Sequence, residues 1–286
     1  MSVVITGATG HLGRLVVEEL LDRGHGADGI IAAGRDTDRL SALAERGVRT
    51  ARIDFEDPAS LKAAFEGADT VLLVSGSEIG GRVPQHRNAI EAATASGVGH
   101  LVYTSALRAD ASPLTVAPEH KATEEIIAAS GIPHTILRNG WYSENYAAAV
   151  QQGPRTGSII GGAGQGRISS AARADYAAAA AVVVASGEGH GQIHELAGDT
   201  AWTMEELAAR VAEASGSPVA YRDLGEREHR QALTDAGLPE ALVDMLVSTD
   251  QAASQGWLEE DSGALSRLIG RPTTPLEESV AAALSS

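Results

Sequence analysis

Val3-Val4-Ile5-Thr6-Gly7-Ala8-Thr9-Gly10-His11-Leu12-Gly13 stands at the start of the chain, and its order of residue types decides the fold. The β-branched run Val3–Thr6 predicts a buried strand. The G-x-x-G-x-x-G spacing predicts a tight turn, and Leu12, Leu15, Val16 and Leu20 predict an amphipathic helix that begins at once. Glycine allows the dihedrals of such a turn and the close approach of a ligand to the backbone. The helix start behind it offers unpaired N–H groups and the positive end of a dipole. Strand, glycine turn and helix in this order form a cradle for the pyrophosphate of a dinucleotide. Its expected contacts are Gly7, Thr9, Gly10, His11, Leu12 and Gly13.

Outward from this stretch the same alternation repeats. Apolar runs at Val3–Thr6, Ile30–Ala33, Val48–Ile53, Thr70–Val74, Leu101–Thr104 and His134–Leu137 read as strands. Helical patterns fall between them near 12–23, 37–46, 58–66, 84–96 and 118–130. Strand–helix alternation implies right-handed crossovers and a parallel sheet covered on both faces, an α/β, doubly wound architecture. Asp57-Pro58 reads as an N-cap followed by proline at the first helical position, and Gly47, Gly97 and Gly131 fall where helices should stop.

After residue 140 the rhythm changes. A glycine-dense stretch runs from Gly153 to Gly166 around a short strand at Ser158–Ile160. A helix is expected at 174–186 and a strand at Gln192–Leu196. Capping boxes are expected at Thr203–Glu206 and Thr274–Glu277. The organisation read from this pattern is a nucleotide-binding domain over 1–140. A smaller C-terminal α/β region over 141–286 walls a substrate cleft, some of its elements returning to the first sheet.

Composition narrows the function. The chain has 286 residues, 43% of them hydrophobic, and carries a formal charge of −16. That charge argues against nucleic acid or an anionic membrane surface as a general partner. There is no cysteine, which excludes disulfides, a thiolate nucleophile and thiolate metal ligation. The first strand begins by residue 3 and no apolar run reaches membrane-spanning length, so a cytoplasmic protein with no membrane insertion is expected. The histidines show no compact metal spacing, so no metal is expected. His120 and Glu124, one turn apart, read as a surface helical pair.

The remaining candidates lie at strand ends. Gly34-Arg35 closes the second strand, where an acidic residue would hold a ribose 2′-hydroxyl and an arginine suits a 2′-phosphate. Arg35 therefore favours NADPH, with NADH still permitted, while Asp36 or Thr37 is needed as a helix cap. Asp54 and Phe55 close the third strand, where adenine is expected. Ser75, Gly76 and Ser77 follow the fourth strand and Thr104-Ser105 the fifth, lining the crevice of ribose and nicotinamide. Arg138 to Tyr146 is the densest aromatic and polar cluster of a chain with only 3% aromatics. Asn139, Trp141, Tyr142 and Asn145 suit a planar ligand. Tyr103 has Leu107 four residues on, not lysine, so the tyrosine–lysine acid pair of the common short-chain dehydrogenases is missing. No G-x-S-x-G elbow supplies a serine nucleophile.

These residues resemble a known group. Thr6–Gly13, the Ser75–Arg87 stretch, Tyr103-Thr104-Ser105 and the run Leu137–Tyr146 are similar to the NmrA-like atypical short-chain dehydrogenases, and most similar to the bacterial type 2 NAD(P)H:quinone oxidoreductases. The likeness extends through Arg173–Tyr176, Glu195–Asp199 and Leu268–Thr274. It implies a Rossmann-type domain with a small C-terminal domain, bound NADPH, reduction of quinones without flavin or metal, and an architecture that permits a homodimer. Many relatives carry a catalytic lysine before the sixth strand. Alignment on Glu124-Glu125 puts His120 there, with Lys121 turned away by one helical step. His120 and Tyr142 are then the candidate proton donors beside water. The group also contains regulators that sense the NADP⁺/NADPH balance and bind a partner protein, which is the alternative reading.

Overall fold

The computed structural model describes all residues of the chain except Ser77, Ile79, Glu188 and Gly189. Its elements run β1 (Val3–Ile5), α1 (His11–Asp22), β2 (Ile30–Gly34), α2 (Ser41–Glu45), β3 (Arg49–Arg52), α3 (Pro58–Phe65), β4 (Thr70–Leu73), α4 (Arg82–Ala95), β5 (His100–Ala106), α5 (Ala117–Ser130) and β6 (His134–Asn139). They continue with α6 (Ala147–Thr156), β7 (Ser158–Gly161), α7 (Arg173–Ser186), β8 (Gln192–Leu196), α8 (Met204–Ser215), β9 (Ala220–Asp223), α9 (Glu226–Asp235), α10 (Glu240–Ser254), α11 (Ala264–Ile269) and α12 (Leu276–Leu284). Two compact units result. The first comprises Met1–Asp110, Pro118–Asn139 and Arg173–Glu195; the second comprises Ala111–Ala117, Gly140–Ala172 and Leu196–Ser286.

The first unit is built on a seven-stranded sheet of order β3-β2-β1-β4-β5-β6-β8. Pairings from β3 through β6 are parallel, for example Ile5↔Ala32, Ile5↔Leu72 and Leu73↔Tyr103. The order reverses between β1 and β4, which makes the carboxyl ends of those strands the topological switch point of the sheet. One face packs Val4, Ile31, Ala33, Val71, Leu73, Leu101 and Tyr103 against Leu61 and Phe65 of α3, Ile90 of α4 and Ile127 of α5. On α7 the run Ala177–Ala181 is buried, and α7 packs against α1; small side chains let these helices approach closely. Burial of the β-branched runs on both faces is why they read as continuous apolar strands in the sequence.

Local chemistry sets the boundaries. Asp57 accepts hydrogen bonds from the N–H groups of Ala59 and Ser60, and Pro58 fills the first helical position of α3. Gly47, Gly97 and Gly131 all carry positive φ, which stops the preceding helices. The segment expected as one helix over 37–46 divides into a 3-10 turn, Thr37–Leu40, and the short α2.

The second unit holds a parallel pair, β7 and β9, in the register Ser158↔Ala220 to Gly161↔Asp223. Its core gathers Val150, Ile159, Ile168, Trp202, Leu207, Val211, Leu258 and Val280. The capping box at Thr203 and Glu206 forms as expected. The one expected at Thr274–Glu277 does not: α12 starts from Pro275 with no side-chain cap. Sequence periodicity also misses α9, whose one buried residue is His229, so little apolar pattern marks it.

Candidate active site

The first loop is fixed by its own backbone. Gly7 sits at φ +63°, Ala8 N–H donates to the Ala33 carbonyl (3.0 Å), and Gly10 N–H donates to the Gly7 carbonyl (2.9 Å). A Cβ on Gly13 would lie 2.5 Å from that carbonyl oxygen, so α1 can pass this close to the turn only with glycine. Gly10 is the N-cap of α1, no side chain caps it, and the first turn holds no acidic residue. The N–H groups and positive dipole end of α1 therefore stand open for an anion. His11 is exposed and Leu12 buried, so Leu12 can serve a ligand only through its backbone.

Arg35 follows β2 and is exposed, while Asp36 is occupied as a cap, accepting from Asp38 N–H at 3.1 Å. After β3, the Asp54 carboxylate accepts from Glu56 N–H (3.0 Å) and closes a turn. Phe55 packs on the core, its carbonyl held by Asn88 Nδ2 at 2.8 Å and its ring edge-on to His86.

Beyond β4 three successive N–H groups are taken by side chains from three different elements. Val74 donates to Thr6 Oγ1 (3.0 Å), Ser75 to Thr104 Oγ1 (2.9 Å) and Gly76 to His86 Nε2 (3.1 Å). Ser75 and Gly76 are thereby held at the switch point; Ser77 lies outside the described residues. Because His86 Nε2 accepts, the neutral ring carries its proton on Nδ1 and donates to Thr123 Oγ1 (3.1 Å), which donates to the Glu119 carbonyl (2.8 Å). Arg82 adds a clamp, with Nε on the Gly76 carbonyl (3.0 Å) and a guanidinium nitrogen on the Glu119 carboxylate (2.8 Å).

His120 does not form the surface pair expected with Glu124. It is buried, and its Nδ1 lies 2.8 Å from the Tyr103 hydroxyl. Glu124 turns instead to Ser105, whose hydroxyl donates to it at 2.5 Å, and to Arg138 through two bonds of 3.0 and 2.7 Å. Arg138 also reaches Asp110 (2.9 Å) and Glu195 (2.8 Å). The Glu124 bonds, opposed by burial and joined by Glu195, hold the guanidinium above its ordinary pKa. Lys121 is exposed, and Asn139 is buried at the end of β6. Tyr103 has no lysine four residues on; its partner, His120, comes from helix α5, which no local spacing reveals.

Trp141, Tyr142 and Asn145 belong to the second unit. There Trp141 and Tyr146 pack on the unit's core, and a short bridge pins the segment: Ser143 N–H donates to the Ala171 carbonyl (2.9 Å) and Ala171 N–H to that of Trp141 (3.2 Å). Tyr142 is half-buried and Asn145 exposed. No group of metal-ligating side chains forms among the described residues.

Burial, with Arg82 nearby, depresses His86 to a pKa of about 3. Burial, Arg82 and His86 do the same to His120. Both rings are thus neutral when folded, while in the unfolded chain they bind protons below about pH 6.5. Acidification from pH 7 to pH 5 should then destabilise the fold by about 2 kcal/mol for each ring. Urea melts at the two pH values check this, and His120→Asn should remove about one ring's share of the dependence.

A glycine-turned phosphate cradle at the switch point of a parallel sheet defines a dinucleotide-binding protein, and the chain belongs to the NAD(P)H-binding family, whose model matches residues 7–213. It is 50% identical to quinone oxidoreductase 2 of Escherichia coli strain K12 over 278 residues, 97% of each chain. The crystal structure of the E. coli NADPH-dependent quinone oxidoreductase in complex with NADPH superposes with a TM-score of 0.95 at 49% identity, covering 98% of this chain and 99% of that one. The Citrobacter sp. triphenylmethane reductase in complex with NADP(H) follows at a TM-score of 0.94 and 35% identity, over 99% and 100% of the two chains. The resemblance to NmrA-like dehydrogenases drawn from the motifs therefore holds.

Proposed function

We propose that the protein is an NADPH-dependent quinone reductase. The observation that carries this is the open N-terminus of α1 above Gly7, Gly10 and Gly13, an anion cradle in which Gly10 leaves the approach free of a side chain. The half-identical E. coli relative supports the enzymatic reading over the regulatory one.

When bound, the cofactor supplies a hydride that passes directly to the electron-poor quinone; the reading requires no flavin or metal. Thr9, His11, Leu12 and Gly13 hold the pyrophosphate through backbone donors, on a turn shaped by Gly7 and Gly10. Arg35 meets the 2′-phosphate, and Asp54 and Phe55 flank the adenine. Ser75, Gly76, Thr104 and Ser105 line the ribose and nicotinamide. Asn139, Trp141, Tyr142 and Asn145 border the quinone. Burial raises the pKa of Tyr103 and keeps its phenol protonated, so a bond from it to His120 Nδ1 leaves that ring's proton on Nε2. The proton for the reduced oxygen comes from His120, Tyr142 or water. A depressed histidine pKa makes its neutral N–H a weak acid, so positioning supplies most of the rate. The reading also places the enzyme in the cytoplasm and permits a homodimer.

Stopped-flow oxidation of NADPH by p-benzoquinone tests the proposal. Saturable turnover supports it; tight NADPH binding without turnover overturns it. Arg35→Ser should narrow the ratio of kcat/KM for NADPH over NADH by about ten- to a hundredfold, the loss of one charged contact to phosphate. Steady-state rates with both coenzymes check that.

A further inference from the structure

We propose that Arg52, at the end of β3, is a second determinant of 2′-phosphate recognition and acts together with Arg35. This rests on the reading that the chain takes NADPH. The argument runs through register and pleat. Gly34 and Arg52 are partners in the parallel ladder of β2 and β3, one step beyond Ala33↔Ala51, and Ile53 N–H donates to the Gly34 carbonyl at 3.0 Å. Partners in a parallel ladder send their side chains to the same face, and neighbours along a strand send theirs to opposite faces. Ile31, Ala33 and Ile53 belong to the core on the α3–α4–α5 side, and Ala51 packs against it. Gly34 and Arg52 therefore share the other face.

That face is where the phosphate cradle lies. A Cβ built on Gly34 would meet Thr9 Cγ2 at 2.6 Å and Oγ1 at 3.0 Å, so the side-chain direction of Gly34 runs straight into the glycine loop. Arg52 leaves the neighbouring strand on that same side and is exposed, as is Arg35 one residue beyond Gly34. Neither guanidinium has an ion pair among the described residues, although the chain carries sixteen negative charges in excess. Asp36, the acid beside them, is spent on capping the 3-10 turn. Two uncommitted guanidinium groups beside a position cleared by glycine suit a dianionic monoester, which one arginine cannot neutralise alone. A ribose carrying a free hydroxyl gains nothing from the second.

The experiment uses the full chain and isothermal titration with 2′,5′-ADP and 5′-AMP, which differ only in the 2′-phosphate. Arg52→Ala is expected to weaken 2′,5′-ADP by about tenfold or more and to leave 5′-AMP within about twofold. Arg52→Lys should fall between. Arg49→Ala removes the same charge from the same strand at a position partnered with Ile31 and should leave both affinities within about twofold. An Arg52→Ala protein whose circular dichroism matches the parent yet binds 2′,5′-ADP unchanged overturns the proposal. So does an equal loss in Arg49→Ala, which would reduce the effect to general charge. If the unaltered protein binds neither nucleotide, the NADPH reading falls and the proposal with it. If it binds both equally well, the assignment of Arg52 and Arg35 to the phosphate falls while dinucleotide binding stands.

Discussion

Arg138→Met is expected to lower the unfolding free energy by about 3 kcal/mol at neutral pH, near the low end of what breaking a buried ion pair costs. The guanidinium is nearly enclosed and bonds to carboxylates from three segments of the first unit: Glu124 of α5, Glu195 of β8 and Asp110 after β5. The three partners do not contribute equally. The Asp110 side chain is 60% exposed and Glu195 30%, so water compensates much of their loss; Glu124 is 11% exposed and would keep only the Ser105 hydroxyl. Methionine fills the volume, so the cost reports the stranded carboxylate and not a cavity. A double variant, Arg138→Met with Glu124→Gln, should recover at least half the deficit, because it removes the charge left behind. Urea melts of the parent and the three variants close the cycle. A single-variant loss below about 1 kcal/mol would mean the network behaves as an exposed one.

Gly13→Ala is expected to abolish measurable NADPH binding, a loss of about a hundredfold or more, while costing about 1–3 kcal/mol of stability. The added methyl would sit 2.5 Å from the Gly7 carbonyl oxygen, 2.7 Å from its carbon and 2.9 Å from Ala8 N. All three are backbone atoms, so no rotamer change relieves the clash and the turn itself must move. That turn aims the α1 donors, and misplacement by about 1 Å already costs a site its function. Gly10→Ala supplies the contrast. Its methyl would stand 3.2 Å from the same oxygen, a contact that a small adjustment accommodates. Its stability loss should therefore be smaller than that of Gly13→Ala. Calorimetric titration with NADPH beside a thermal melt separates binding from stability for both variants.

The parts of this molecule legible in the sequence are those that local chemistry determines. A β-branched run entering a glycine turn, Asp57-Pro58 opening a helix, and Thr203 three residues before Glu206 each carry their structural meaning within a few residues, and β1, α1, α3 and α8 fall where those signals put them. Contacts between distant segments were not legible. His120 and Glu124 look like a helical surface pair because their spacing is right, yet one turns to Tyr103 and the other to Arg138 and Ser105. Arg138 reads as the edge of a polar cluster and is the centre of an ion network whose acids lie 14, 28 and 57 residues away. Arg52 has no local signal at all. Its meaning comes from strand register, which no window along the chain contains.

The first unit is not continuous in the chain: α7 and β8 return to it after Gly140–Ala172 has departed into the second. During synthesis, a nascent chain ended at Asn139 would leave β6 without its outer neighbour and α1 without α7. An unpaired β edge and a bare apolar helix face invite aggregation. Closure of the nucleotide-binding half therefore waits until Glu195 has cleared the ribosome, because the helix that covers α1 is made only after the second unit has begun.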